Sequence, residues 1–266
     1  MCATCGCSPH ATAAPHTHPH ADHPAVEAAH AHSHADHHHD HAHASRLIRL
    51  EHEVLARNDA LAAANRRRLA ERGVVAINVL ASPGAGKTTL LEQTIRALRA
   101  EMPLVVIEGD QATEFDADRV RAAGARAVQV TTGAGCHLDA AMVARALDEL
   151  DPPAGALVLI ENVGNLVCPA LFHLGEVAKV VVASVPDGED KPLKYPHAFR
   201  AADLVVLNKI DLAPHVAFAH ERWLAAARTA HPGVDVLSLS ATRGDGLGAW
   251  YAWLRSRRAA VEAPTA

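Results

Sequence analysis

The apolar run Val74-Val75-Ala76-Ile77-Asn78-Val79-Leu80 passes through Ala81 into Ser82-Pro83-Gly84-Ala85-Gly86-Lys87-Thr88-Thr89, and a helical pattern takes over at Leu90. A buried strand, a small-residue loop and a helix start, in that order, leave little choice of fold. They are the setting of a phosphate-binding loop. Gly84 and Gly86 let the backbone curl until several N–H groups between Gly84 and Thr89, that of Ala85 included, point at one anion. The helix that follows adds its positive N-terminal end. Lys87 is the side chain that reaches the outer phosphates and serves their transfer, and the Thr88 hydroxyl is the expected ligand of Mg²⁺. One position departs from the common pattern: Ala81 stands where the first glycine of such a loop is usual.

Further apolar, β-rich runs follow at 104–107, 127–130, 156–160, 180–185, 204–207 and 234–239, with helical stretches between most of them. This alternation predicts an α/β chain of the P-loop NTPase fold, with a mainly parallel sheet and helices on both faces. Ligands of such sheets sit beyond the carboxyl ends of the strands. Before the sheet, Leu47, Leu50, Val54, Leu61 and Leu69 recur at helical spacing, Ser45 reads as the N-cap and Gly73 as the stop. That helix carries no catalytic pattern. The expected organisation is a Cys/His-rich metal-binding tail at 1–45, largely disordered, an N-terminal helix at 46–73, the P-loop domain at 74–256 and a short tail at 257–266.

Several strands end in polar groups. The second ends in Glu108-Gly109-Asp110 and the fourth in Glu161-Asn162-Val163-Gly164-Asn165. A carboxylate closing an apolar strand is what a P-loop enzyme needs to hold Mg²⁺ directly or through water, which makes Asp110 and Glu161 candidates for the cation and the attacking water. The division of roles between them is open at this level. Gly164, at the end of an acidic-x-x-Gly element, is placed to sense the γ-phosphate with its amide. The sixth strand ends in Asn208-Lys209-Ile210-Asp211, the Asn-Lys-x-Asp element of guanine recognition. There the Asp211 carboxylate accepts from the guanine N1–H and 2-amino group, which adenine cannot supply. Ser240-Ala241 after the last strand fits the backbone element that touches the same base. GTP and GDP, rather than adenine nucleotides, are therefore expected.

Metal chemistry is written in two further places. Cys2, Cys5 and Cys7 sit at chelating spacing beside the α-amino group, a set that suits Ni²⁺ if the amine and amides join the thiolates. Thirteen of the 20 histidines lie between His10 and His43, mixed with Ala, Asp and Pro over a span too long and too varied for an expression tag. Such a tract cannot bury a core and suits weak storage or buffering of several ions. Cys136-His137 and Cys168 follow the third and fourth strands, on the edge that carries the phosphate loop, and offer three soft-to-borderline metal ligands. Three leave a tetrahedral site open for water or a second chain.

Composition excludes other classes. The net charge of −5 shows no basic surplus and aromatics are 3% of residues, so nucleic acid is not an expected partner. No run is long enough to span a membrane, and the start has neither a charged n-region nor an apolar signal core, so a cytoplasmic, reducing location is expected.

Taken together, Cys-x-x-Cys-Gly-Cys at 2–7, the His-rich tract, Ser-Pro-Gly-Ala-Gly-Lys-Thr-Thr at 82–89, Glu-Asn-Val-Gly-Asn-Leu-Val-Cys-Pro at 161–169, Asp-Lys-Pro-Leu-Lys-Tyr-Pro at 190–196 and Asn-Lys-Ile-Asp at 208–211 resemble the HypB family of hydrogenase nickel-insertion GTPases, SIMIBI-class P-loop proteins. The resemblance spans the whole chain. It implies a GTP-dependent homodimer that works with a nickel-delivery accessory protein and supplies the large subunit of [NiFe]-hydrogenase. It also implies that Cys136, His137 and Cys168 are the family's second metal site, at the dimer interface, holding Ni or Zn. Two other readings remain: passive nickel storage beside a separately acting GTPase, and a urease-type nickel GTPase.

Overall fold

Parallel strands cannot be joined by tight turns, so each apolar run must be followed by a crossover. The computed structural model, which describes residues 38–111, 115–133 and 135–262, places these runs in one sheet. The strands are β1 (Val75–Ala81), β2 (Leu104–Asp110), β3 (Arg126–Thr131), β4 (Leu157–Glu161), β5 (Ala178–Ser184), β6 (Leu204–Asn208) and β7 (Val236–Ser238). Their order is β3-β2-β4-β1-β5-β6-β7, and every pairing is parallel. The fold is that of a P-loop NTPase, as the alternation predicts. The helices are α1 (His38–Glu71), α2 (Lys87–Leu98), α3 (Phe115–Ala123), α4 (Ala140–Leu150), α5 (Cys168–Leu171), α6 (Lys191–Lys194), α7 (Pro196–Arg200), α8 (His220–Ala230) and α9 (Leu247–Glu262).

Strands β1, β4, β5 and β6 are buried along their whole length, which is why they read as unbroken apolar runs instead of alternating ones. Alternate side chains nevertheless serve different layers. Val75, Ile77 and Val79 of β1 and Leu157 and Leu159 of β4 pack with Leu90, Leu91 and Ile95 of α2 and Trp250 and Leu254 of α9. Ala76, Val105, Val158 and Ile160 point to the other face, against Val143 and Leu147 of α4 and Leu69 of α1. On that second face, further along the sheet, Val181 and Val205 meet Phe199 of α7 and Trp223 of α8. The Trp250 indole N–H donates to Thr94 Oγ1 at 2.8 Å and so fixes α9 on α2.

Two boundaries differ from expectation. Helix α1 begins at His38, so Ser45 lies inside it and is not its N-cap. The physical reason is local: residues 38–46 contain neither Gly nor Pro, and their alanines favour continuation upstream of the serine. Helix α9 runs on to Glu262, so a boundary at 256 would fall within a helix. The stop of α1 is as expected, with Gly73 at φ +62° and the Val74 N–H returning to the Leu69 carbonyl at 2.9 Å. The chain divides into units Met1–Val54 and Leu55–Ala266; the first contributes the start of α1, and the second everything discussed below. Cys2, Cys5, Cys7 and most of the His-rich tract lie outside the described residues. Among the described residues no helix is long and apolar enough to cross a membrane.

In the second unit α1 approaches the sheet through a glycine. Gly175 has φ +105°, and a Cβ there would lie 2.6 Å from Asn65 Cβ and 3.0 Å from the Ala62 carbonyl oxygen. Both the left-handed backbone and the contact with helix backbone oppose any side chain. Gly175→Ala is therefore expected to destabilise the protein by about 2 kcal/mol or more, seen as a fall of roughly 4–8 °C in thermal unfolding.

Candidate functional site

The phosphate loop is held by residues distant in sequence. Gly84 and Gly86 have φ of +75° and +95°, a backbone that L side chains rarely adopt. A Cβ on Gly86 would also lie 2.5 Å from Asn208 Nδ2, so glycine is required there twice over. The buried Asn208 amide ties three segments together. Its Nδ2 donates to the Ala85 carbonyl at 2.9 Å, and its Oδ1 accepts from the Lys209 N–H at 2.8 Å and the Ala241 N–H at 3.0 Å. Lys209 Nζ donates to the Gly84 carbonyl at 2.6 Å, and Ser240 Oγ accepts from the Arg243 N–H at 3.1 Å. Asp211 lies in the first turn of the 3-10 segment Ile210–His215. Asn208, Lys209, Ser240 and Ala241 thus form one frame with the loop, while Asp211, Ser240 and Ala241 lie outside the phosphate cleft itself.

That cleft encloses about 600 Å³ and is lined by Gly84, Gly86, Lys87, Thr88 and Thr89, by Glu108, Asp110, Asp116 and Arg119, and by Glu161, Gly164, Lys209 and Cys136 among others. Helix α2 starts at Lys87 itself, earlier than the pattern from Leu90 shows, so its N-terminus opens directly into the cleft. Gly164 packs against Pro83 of the loop; a Cβ there would be 3.1 Å from Pro83 Cγ.

Sheet register decides which carboxylates meet. Glu108 of β2 is the register partner of Glu161 of β4, and both side chains project on the α2 side of the sheet. Asp116 of α3 comes to the same place, so that one carboxylate oxygen from each of Glu108, Asp116 and Glu161 lies within 4.8 Å of the others. The Thr88 hydroxyl donates to Glu161 Oε1 at 2.8 Å. Glu108 Oε2 and Glu161 Oε2 are buried without a hydrogen-bond partner. Burial, and after it the neighbouring Glu161 charge, pushes the Glu108 carboxyl far above the usual range; burial likewise raises Glu161. Two orphaned buried oxygens, a third carboxylate and a threonine hydroxyl form an all-oxygen donor set that fits a small hard dication such as Mg²⁺. Asp110 stands apart from this group. It lines the cleft, its Oδ1 accepts from the Gln111 N–H at 2.6 Å, and its carbonyl accepts from the Thr132 N–H at 2.9 Å. Glu108, Asp116 and Arg119 are cleft residues that sequence reasoning did not single out. Arg119 donates to Asp116 Oδ1 at 3.1 Å, Glu92 Oε1 at 3.0 Å and Thr89 Oγ1 at 3.2 Å, which links α3 to the start of α2.

The second candidate centre adjoins the first. Cys136, His137 and Cys168 bring one ligand atom each within 4.8 Å of the others, and Cys136 Sγ lies 3.7 Å from His137 Nδ1. Burial lowers the His137 pKa, against a smaller opposing influence of Asp139, which favours the neutral, metal-binding imidazole. Two buried or half-buried asparagines connect this centre to the cleft. Asn162 Oδ1 accepts from the Leu138 N–H at 3.2 Å, while its Nδ2 donates to Asn78 Oδ1 at 3.2 Å. Asn165 Nδ2 donates to the Cys136 carbonyl at 3.4 Å, and Asn165 bridges to Ala81 at the start of the phosphate loop.

A glycine loop between β1 and α2, an asparagine frame beneath it and buried carboxylates opposite define a nucleotide-binding P-loop protein. The family model for the CobW/HypB/UreG nucleotide-binding domain matches residues 75–238. The hydrogenase maturation factor HypB of Azotobacter chroococcum is 53% identical over 216 residues, covering 81% of this chain and 71% of that protein. Among solved structures, HypB of Archaeoglobus fulgidus is 40% identical with a TM-score of 0.72, covering 77% of this chain and all of that one. HypB of Helicobacter pylori in complex with nickel is 34% identical with a TM-score of 0.71, covering 79% of this chain and 99% of that one. The chain therefore belongs to the CobW/HypB/UreG family and, within it, to the HypB hydrogenase maturation factors.

Proposed function

We propose that the chain is a GTP-hydrolysing nickel metallochaperone, acting as a homodimer in [NiFe]-hydrogenase maturation, in which nucleotide state sets nickel affinity. The observation that carries this reading is the contact between the two centres. Glu161 and Asn162 are consecutive at the end of β4 and so point to opposite faces of the sheet. Glu161 reaches Thr88 in the cleft, and Asn162 reaches the backbone of Leu138, next to His137. A shift of this strand end on nucleotide binding is thereby passed to a metal ligand, and Cys168 lies on the same loop.

In hydrolysis, the amides of the loop and Lys87 hold the β- and γ-phosphates. A water oxygen attacks the γ-phosphorus, the bond to the β–γ bridging oxygen breaks, and GDP and inorganic phosphate result. Glu108, Asp116, Glu161 and Thr88 would hold Mg²⁺, which when bound neutralises charge on the transferring group. Asp110, which lines the cleft, would orient the attacking water. Asn208 and Lys209 keep the loop open and lead Asp211 to the guanine edge. Nickel is the cargo, held by the thiolates of Cys136 and Cys168 and the imidazole of His137; Zn can occupy the same set. Its open coordination position, together with exposed Val167 and Leu171 beside Cys168, suits closure against a second copy. An accessory protein and the hydrogenase large subunit are the proposed partners on either side of the transfer. Cys2, Cys5 and Cys7 form a separate nickel site.

In a full-length chain carrying Cys2→Ser, Cys5→Ser and Cys7→Ser, Ni²⁺ is expected to give thiolate-to-metal charge-transfer absorption from Cys136 and Cys168. Either Cys136→Ser or Cys168→Ser should remove most of that band and weaken binding at least tenfold. A band unchanged in both variants would rule out this cluster as the nickel site.

A further inference from the structure

Asn58 and Asn65 of α1 are seven residues apart, two helical turns, and share one buried face. A buried amide is costly unless its hydrogen-bonding groups are used, and an apolar residue would pack a helix against the domain more cheaply. Each of these amides joins the same two backbone segments. Asn58 Oδ1 accepts from the Ala140 N–H at 2.9 Å, and its Nδ2 donates to the His173 carbonyl at 2.7 Å. Asn65 Nδ2 donates both to the Ala140 carbonyl at 2.8 Å and to the Leu174 carbonyl at 2.9 Å.

Ala140 lies three residues after His137, and His173 and Leu174 follow the short helix that begins at Cys168. Between the two segments the Phe172 ring packs on the His137 imidazole, with centroids 4.0 Å apart. The second segment carries further hydrogen bonds. The Leu174 N–H donates to buried Glu176 Oε2 at 2.6 Å, and Arg66 of α1 donates to the Glu176 carbonyl at 2.8 Å.

We infer that Asn58 and Asn65 are positioning residues of the Cys136–His137–Cys168 centre: by bridging the loop after His137 to the loop after Cys168, they fix the ligand separation and so the nickel affinity. This rests on the reading of that cluster as the nickel site. The physical basis is preorganisation. A chelate whose ligands stand on two loops binds tightly only if the loops are held at the right spacing before the ion arrives, and losing such outer support typically costs about 10–100-fold in affinity.

The test uses the full chain with Cys2, Cys5 and Cys7 replaced by serine. The charge-transfer band then reports Cys136 and Cys168 alone, because the histidines of the tract contribute no thiolate. Asn65→Leu removes both donated bonds while keeping the branching and heavy-atom count of the side chain. Asn58→Asp keeps the acceptor for the Ala140 N–H and loses the bond to His173. Titration with Ni²⁺ is expected to show affinity about 10–100-fold weaker in both variants, with a shifted band, while binding of a non-hydrolysable GTP analogue stays within about twofold. Parent-like nickel affinity and spectrum in the folded variants would overturn the inference. So would an equal loss of nickel and nucleotide binding, which marks a merely structural role. If Asn65→Leu does not fold, Asn58→Asp decides the matter alone. A band that survives Cys136→Ser would instead remove the site reading, and this inference with it.

Discussion

Asp211→Ala is expected to erase the preference for guanine. A carboxylate that accepts from N1–H and the 2-amino group discriminates by about 10⁴, because adenine leaves the acceptor unpaired beneath the bound base. With the carboxylate gone, GTP and ATP should bind within about tenfold of each other, chiefly through loss of GTP affinity. Competition between labelled GTP analogue and unlabelled ATP measures this directly. The variant should remain folded, because the frame beneath the loop is built by Asn208 and Lys209, not by Asp211. Unchanged selectivity would mean that the Asn208–Asp211 element does not read the base.

Lys87→Ala should lower the rate of GTP hydrolysis by about two to three orders of magnitude, comparable to removing one preorganised charge-stabilising group from a phosphate or oxyanion site. Lys87 is the first residue of α2 and lines the cleft, and no other loop residue can supply a positive charge at that position. Phosphate release under saturating nucleotide is the measurement. Nickel held by Cys2, Cys5 and Cys7 should be unaffected in the same variant. Retained hydrolysis would take the P-loop out of the mechanism.

The seven strands were legible because most are buried on both faces, so their apolar runs are unbroken and end in recognisable polar groups. The phosphate loop, Asn208-Lys209-Ile210-Asp211 and Cys136-His137 were legible because each is a short motif whose chemistry is local. What escaped sequence reasoning depends on register and on packing between distant segments. Asp110 and Glu108 lie on the same side of β2, and only the pairing of Glu108 with Glu161 shows which of them joins the buried carboxylates. Asp116 and Arg119 arrive from a separate helix, where an acid and a base three residues apart look like an ordinary surface pair. Asn58, Asn65 and Asn162 resemble exposed polar residues until the backbone groups they satisfy are known. Helix α1 starts upstream of Ser45, a good cap in isolation, because residues 38–44 hold nothing that interrupts a helix.

The central claim is that nucleotide state and nickel affinity are coupled through the end of β4. The most direct measurement is the Ni²⁺ affinity of the full chain with Cys2, Cys5 and Cys7 replaced by serine, read from the thiolate band with GDP bound and again with a non-hydrolysable GTP analogue. A difference of about 5-fold or more is the predicted result, and by reciprocity nickel must then shift the ratio of GTP to GDP affinity by the same factor. Equal nickel affinities in the two nucleotide states would contradict the coupling and favour a chain that stores nickel beside an independent GTPase.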